Sequence, residues 1–250
     1  MTAEAGVRSR EVAVEGRPAR ILEAGTGRPV VFVHGLGLSA DLWSPHLRRL
    51  ATAGYHALAP DLPGFGGSAG PLLGQSVPAT ARWLARLAEA EGLGHAAWVG
   101  HSLGAQILVR LAVDAPGRTH ALVLAAPTGR TGWHGMRQLT GLLTTALCEP
   151  PRLVGSVVRR YALRPLTAFG AWLRSSRHDT ALDAPLVTCP TLLVTGERDP
   201  VVPARFVDRL LHLLPDARLE EIEGAAHAVA LDPVGPFTDA VLRFLSRRYC

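Results

Sequence analysis

Three residues able to act on one another occur along the 250-residue chain: Ser102 in WVGHSLGAQ (98–106), Asp199 in TGERDPVVP (195–203) and His227 in EGAAHAVALDP (223–233). A serine hydroxyl is a weak nucleophile. It attacks a carbonyl carbon when a base takes its proton and backbone N–H groups face the oxyanion that forms. It must also stand clear of its neighbours. A sharp strand-to-helix turn gives that exposure but presses the flanking residues together, and glycine two places before and after the serine removes the Cβ clash. Gly100-His101-Ser102-Leu103-Gly104 is such a G-x-S-x-G pentad, preceded by an apolar run and followed by a helix-like segment.

Of the ten histidines, His227 is the expected base, because it follows the last expected strand among small residues that leave its ring room to reach a site. His46, His56, His95, His120 and His212 fall within or beside ordinary elements. His101, the variable position of the pentad, is expected to pack beneath the turn. An acid must orient the base and steady its protonated form. Asp199, where the loop turns into Pro200, is preferred to Glu197, which suits capping or ion pairing; Asp61, Asp179 and Asp232 have plain turn or cap roles. The expected oxyanion donors are the N–H of Leu103, which opens a helix whose N-terminus favours negative charge, and that of Leu36 in HGLGLS (34–39). A second glycine-rich loop, DLPGFGGS (61–68), is expected to run beside the pocket.

The elements that must position these residues follow from hydropathy. REVAVEGRPARILEA (10–24) reads as two alternating strands about Glu15-Gly16. VVFVHG is a continuous apolar run, the pattern of a strand buried on both faces. Helical spacing follows in DLWSPHLRRLATAG, with Asp41 as N-cap and Gly54 as stop, then a strand in YHALAPD and a helix over 76–91 capped by Ser76. AAWVG, HALVLAAP, TLLVTGE and ARLEEIE read as strands; helices fall between and after them, the last from about Pro233 with Asp232 as its cap. Strands alternating with helices predict an α/β fold, a mostly parallel sheet of about eight strands with helices on both faces. The alternation breaks between Thr128 and Leu186, where only helix-like pieces occur, GMRQLTGLLTTAL and RLVGSVVRRYAL among them.

Composition excludes several classes. The net charge is +5 and every one of the 26 basic residues is arginine. No block of like charge or basic–aromatic interleaving points to nucleic acid. Cys148, Cys189 and Cys250 are odd in number and lack metal-ligand spacing, so neither a disulfide framework nor a zinc site is expected. The N-terminal residues carry no apolar h-region and no run of 18 apolar residues follows, so a cytoplasmic protein without stable membrane insertion is expected.

Taken in order, HGLG, DLPGFGGS, GHSLG, GERDPVVP and GAAH resemble the α/β-hydrolase family over nearly the whole chain. The resemblance implies Ser102, Asp199 and His227 as a catalytic triad and Leu36 and Leu103 as oxyanion donors. It implies a core of residues 1–127 and 187–250, with residues 128–186 inserted after the sixth strand as a helical cap. Serine at the elbow departs from the haloalkane dehalogenases and epoxide hydrolases, which use aspartate there. The carbon–carbon bond hydrolases of aromatic degradation have a similar cap but usually place Asn before the serine and Trp after the histidine, where this chain has His101 and Ala228. The implied activity is hydrolysis of a small carboxylic ester, lactone or thioester through an acyl-enzyme, with no cofactor and no metal. The alternatives are a natural-product cyclase or acyltransferase that hands the acyl group to another acceptor, and a slow-turnover ligand receptor.

Residues 128–186 carry Arg130, Arg137, Arg152, Arg159, Arg160, Arg164, Arg174 and Arg177 against Glu149, Asp179 and Asp183, which equals the whole net charge. Met136, Leu139, Leu143 and Leu147, then Leu153, Val154, Val157, Val158 and Tyr161, recur at helical spacing, with Phe169 and Trp172 further on. The plain reading is solvated arginines and aliphatics packed on the sheet. The functional reading is a lid with an apolar underside over Ser102, its arginines drawing in an acidic or carrier-linked small-molecule substrate.

Overall fold

Glu15 (φ 51°) and Gly16 (φ 73°) are both left-handed, the pair of positive φ values that a two-residue hairpin turn requires to match the twist of its strands. They join β1 (Arg8–Val14) to β2 (Arg17–Ala24) in antiparallel register, Val14 opposite Arg17. The structure is a computed structural model that describes residues 6–129, 140–141, 144, 151–231 and 235–248. Arg130, Met136, Arg137, Leu139, Leu143, Leu147, Cys148, Glu149, the Asp232-Pro233 helix start and Cys250 lie outside the described residues.

The strands that follow are β3 (Arg28–Val33), β4 (Tyr55–Pro60), β5 (Ala96–His101), β6 (Thr119–Ala125), β7 (Thr191–Gly196) and β8 (Ala217–Ile222). They form one eight-stranded sheet in the order β1-β2-β4-β3-β5-β6-β7-β8, antiparallel at β1 and β2 and parallel from β4 onward. Every residue of β5 and β7 is buried, as continuous apolar runs predict for central parallel strands. β8 closes the edge and keeps Arg218, Glu220 and Glu221 in its sequence, charges that discourage edge-to-edge pairing.

Among the described residues the helices are α1 (Ser44–Thr52), α2 (Val77–Ala90), α3 (Leu103–Asp114), α4 (Pro151–Leu163), α5 (Pro165–Ser175), α6 (Thr180–Asp183), α7 (Ala204–Leu213) and α8 (Pro236–Arg248). Packing of α2 on α3 makes one layer. α1 meets α8 through a 2.7 Å hydrogen bond between His46 Nδ1 and Thr238 Oγ1, beside the buried rings of Trp43, Phe32 and Phe237. Ser76 caps α2, its Oγ accepting the Ala79 N–H at 3.4 Å, and Gly54 (φ 86°) ends α1. Asp41 caps no helix. A 3₁₀ turn over Ala40–Trp43 precedes α1, and the Asp41 carboxylate turns back to Arg20, 2.5 Å away.

The loop after β4 is held by one carboxylate. Asp61 is fully buried; its Oδ1 accepts the Ala40 N–H at 2.7 Å, and its Oδ2 accepts the Gly67 N–H at 2.8 Å and an N–H of Arg20 at 3.1 Å. Gly66 sits at φ 51° with its α-carbon against that carboxylate, leaving no space for a Cβ. Asp61→Ala would strip partners from two backbone N–H groups and from Arg20. The expected loss is about 3 kcal/mol of unfolding free energy, measured by urea unfolding; a loss within experimental error would show that water replaces the carboxylate.

Candidate active site

β5 ends at His101 and α3 begins at Leu103, so Ser102 alone makes the turn. It does so at φ 54° and ψ −115°, a conformation that costs a non-glycine residue about 1–3 kcal/mol. The surroundings impose it: the Ser102 N–H donates to the Ala125 carbonyl at 2.9 Å, and the Ser102 carbonyl accepts the Gln106 N–H at 3.2 Å. Both flanking glycines are required by contact. A Cβ on Gly100 would lie 2.7 Å from the Ala105 nitrogen, and one on Gly104 would strike the carbonyl oxygens of Val33 and His34.

The structure brings His227 and Asp199 to this serine. His227 Nε2 lies 3.1 Å from Ser102 Oγ, and its Nδ1 lies 2.9 Å from Asp199 Oδ2. Asp199 Oδ1 accepts the N–H groups of Val201 (2.7 Å) and Val202 (3.0 Å), which fixes the carboxylate plane. Burial pushes the Asp199 carboxyl up, but the charge and hydrogen bond of His227 together with those two N–H groups outweigh it and hold the acid below its ordinary range. Glu197 points elsewhere: it accepts the Gly224 N–H at 2.8 Å at the protein surface. Gly196 lets the loops after β7 and β8 touch, since a Cβ there would meet the Ala225 and Ala226 carbonyls. Asp179 caps α6, accepting the Ala181 N–H at 3.1 Å.

Ser102 and His227 open on a cavity of about 100 Å³. Leu36 and Leu103 both line it. Its walls are otherwise mostly apolar, with Leu38, Val201, Ala228 and Leu231 from the body and Tyr161 and Trp172 from α4 and α5. Gly37, at φ 68°, accommodates the Tyr161 ring, which would overlap any Cβ there. Gln106, four residues past the serine and buried in α3, donates to the carbonyls of Ser175 and His178, both at 3.1 Å. It ties the α5 end of the cavity wall to the helix that starts at the nucleophile, a role with no local sequence signature. Among the described residues no group of three His, Cys, Asp or Glu side chains is placed to hold a metal ion. No helix there is long and apolar enough to cross a membrane. Cys189 is buried away from the site, and burial pushes its thiol up to about 11.

Comparison with known proteins agrees with this architecture. The sequence pattern of the alpha/beta hydrolase family matches residues 30–240. The chain is 28% identical over 256 residues to the 2-hydroxy-6-oxononadienedioate/2-hydroxy-6-oxononatrienedioate hydrolase of a Pseudomonas species, covering 90% of each protein. It is 32% identical over 262 residues to part of the polyketide synthase ThaQ of Burkholderia thailandensis, an alignment that takes in 92% of this chain and 12% of that much longer one. Among solved structures, a thermophilic esterase from Thermogutta terrifontis superposes with a TM-score of 0.84 over 97% of this chain and 100% of its own, at 20% identity. That last likeness is one of fold.

His101 does more than pack beneath the turn. Its Nε2 lies 2.9 Å from the His227 carbonyl oxygen. A carbonyl only accepts, so Nε2 carries the proton, and Nδ1 has no hydrogen-bond partner among the described residues. Burial, reinforced by the charge of His227, drives this imidazole from 6.5 down to about 3. The folded state therefore favours neutral His101. Its contribution to stability is complete above about pH 6.5 and is lost as pH falls toward about 3. His101→Gln keeps an N–H donor and removes the titration. Its urea midpoint should fall less steeply than that of the wild type between those pH values; equal slopes would remove His101 as a source of acid sensitivity.

Proposed function

The chain belongs to the alpha/beta hydrolase family, and we propose that it is a serine hydrolase that cleaves a small carboxylic ester, lactone or thioester through an acyl-enzyme. The observation that carries this reading is the unbroken line Ser102 Oγ to His227 Nε2, 3.1 Å, and His227 Nδ1 to Asp199 Oδ2, 2.9 Å. In this reading His227 takes the Ser102 proton as Oγ bonds the substrate carbonyl carbon. The N–H groups of Leu36 and Leu103 receive the oxyanion. His227, positively charged and facing Asp199, gives its proton to the departing alcohol or thiol as the C–O or C–S bond breaks, leaving the acyl group on Ser102. Water, deprotonated by His227, then releases the acid and restores the serine. The small apolar cavity favours a small acyl group. In this reading residues 128–186 act as a cap, to which α4 and α5 contribute Tyr161 and Trp172 at the cavity wall.

A second reading is acyl transfer or cyclisation, in which a hydroxyl or amine of an acceptor, or of the acyl chain itself, replaces water in attacking the acyl-enzyme. What favours it is the likeness to a segment of a polyketide synthase. Product analysis with an added alcohol separates the two, since transfer yields a new ester while hydrolysis yields only acid.

Ser102→Ala and His227→Ala should each lower kcat for any turned-over ester by about a thousandfold or more, with the thermal melt retained. Asp199→Asn should lose far more than Glu197→Gln, because the amide can favour the wrong tautomer of His227. Steady-state kinetics on a panel of short esters, lactones and thioesters checks both. Undiminished turnover in Ser102→Ala would overturn the assignment, and the reverse ranking of the acids would move the orienting role to Glu197.

A further inference from the structure

Several arginines on the body of the protein face carboxylates: Arg10 meets Glu23 and Glu91, Arg110 meets Asp114, and Arg243 meets Glu220. From Pro151 to His178 the chain has six arginines and no Asp or Glu. In that segment Arg164 and Arg177 are exposed, and neither has a carboxylate partner among the described residues. Neither of these two arginines lines the cavity beside Ser102. All but one of the large exposed hydrophobic side chains among the described residues lie at 72–73 or between 158 and 186; the exception is Leu219 on the edge strand.

Helix α5 explains how charge and apolar surface meet. At 100° per residue, Leu166, Phe169 and Leu173 fall on one side, and they are 53%, 61% and 37% exposed. The other side buries Thr167, Ala168 and Ala171. Leu72 and Leu73 extend the exposed strip. Thr167 Oγ1 donates to the Leu72 carbonyl at 2.8 Å, Arg174 donates to the Leu73 carbonyl at 2.7 Å, and Gly170 admits the Leu73 backbone where a Cβ could not fit.

A ridge of leucine and phenylalanine flanked by arginines without a carboxylate partner among the described residues, in a stretch (151–178) free of Asp and Glu, is the composition of a helix that lies on an anionic bilayer. We propose that the outer face of α5, with Leu72 and Leu73, docks on an anionic lipid surface. The apolar side chains enter the boundary between headgroups and acyl chains, and Arg164 and Arg177 meet the lipid phosphates. A projecting ridge suits a fluid bilayer, which reorganises around it. α5 also turns Trp172 and Ser175 toward the cavity, which sets the Ser102 site close to the docked face.

Flotation of the full chain with vesicles tests this. The chain should float with vesicles of phosphatidylcholine and phosphatidylglycerol in equal parts, not with phosphatidylcholine alone, and retention should fall as salt rises. Arg164→Gln and Arg177→Gln should each weaken partitioning about fivefold. The double variant Leu166→Ser, Phe169→Ser should abolish it with the circular dichroism melt unchanged. Ser102→Ala should float like the wild type, so docking and catalysis are read separately. Failure to float with anionic vesicles at low salt would overturn the proposal. Retention that survives the double variant would do so too, leaving a purely electrostatic face of the kind an acidic protein meets. A dimer in sedimentation velocity that the double variant dissociates would give the ridge to a second copy of the chain instead.

Discussion

The turn at Ser102 constrains everything around it. A parallel strand must pass into a helix with a single intervening residue, and that residue must hold a left-handed conformation that its own Cβ resists. The strain persists because β5 lies between β3 and β6, with Ser102 bonded to Ala125 at the end of β6. Close approach of α3 to β3 completes the constraint. Gly104 lets the first turn of the helix rest on the carbonyls of Val33 and His34, which puts Leu103 at the same sheet edge as the loop that begins at His34. In an open parallel sheet the carboxyl ends of the strands share one edge, and the loops after β3, β5, β7 and β8 converge there.

Convergence alone does not set distances, and two neutral histidines serve as spacers between loops. His34 accepts the Leu62 N–H on Nε2 at 2.9 Å, which leaves Nδ1 to donate to the Gly35 carbonyl at 2.8 Å. It thereby joins the loop after β3 to the loop that Asp61 organises. His101 does the same between the elbow and the loop bearing His227, with its proton on the nitrogen that faces the carbonyl. For His101 neutrality follows from burial and from the charge of His227; for His34 it follows from the Leu62 N–H that Nε2 accepts. Each buried ring in turn fixes its loop to within hydrogen-bond length.

What was legible in the sequence was whatever leaves a periodic or short-range mark. The strands and most helices follow from apolar runs and helical spacing, the hairpin from Glu15-Gly16, and the elbow from glycines at fixed offsets. The preference for Asp199 over Glu197 followed from its place at the turn before Pro200, and the structure brings the Asp199 carboxylate to His227 while Glu197 caps the turn at Gly224. The hidden features are single side chains reaching distant backbone. His101 meets a carbonyl 126 residues later and Gln106 meets carbonyls about seventy residues away, and neither spacing repeats anywhere. Asp41 misled for a related reason: its type suits an N-cap, but Arg20, twenty-one residues earlier, offers a stronger partner than a helix end does.

Helix α5 is the element in which these levels meet. Its inner side helps wall the cavity through Trp172, and its buried small residues let the 71–74 loop pack against it without intervening side chains. Its C-terminal end is held by Gln106, which belongs to the helix that begins at the nucleophile. The inner side is therefore positioned by hydrogen bonds to α3 and to Leu72 and Leu73, not by the outer leucines. Leu166 and Phe169 stay more than half exposed, while the Phe169 ring lies 5.8 Å from that of Trp172, so the outer face touches the cavity wall through one aromatic pair. In a packed core a volume change on one side of a helix shifts the other; here the small residues Gly170, Ala168 and Ala171 keep the inner side close to the Leu73 backbone and the core, and the Phe169–Trp172 pair is the point at which the outer face reaches the wall.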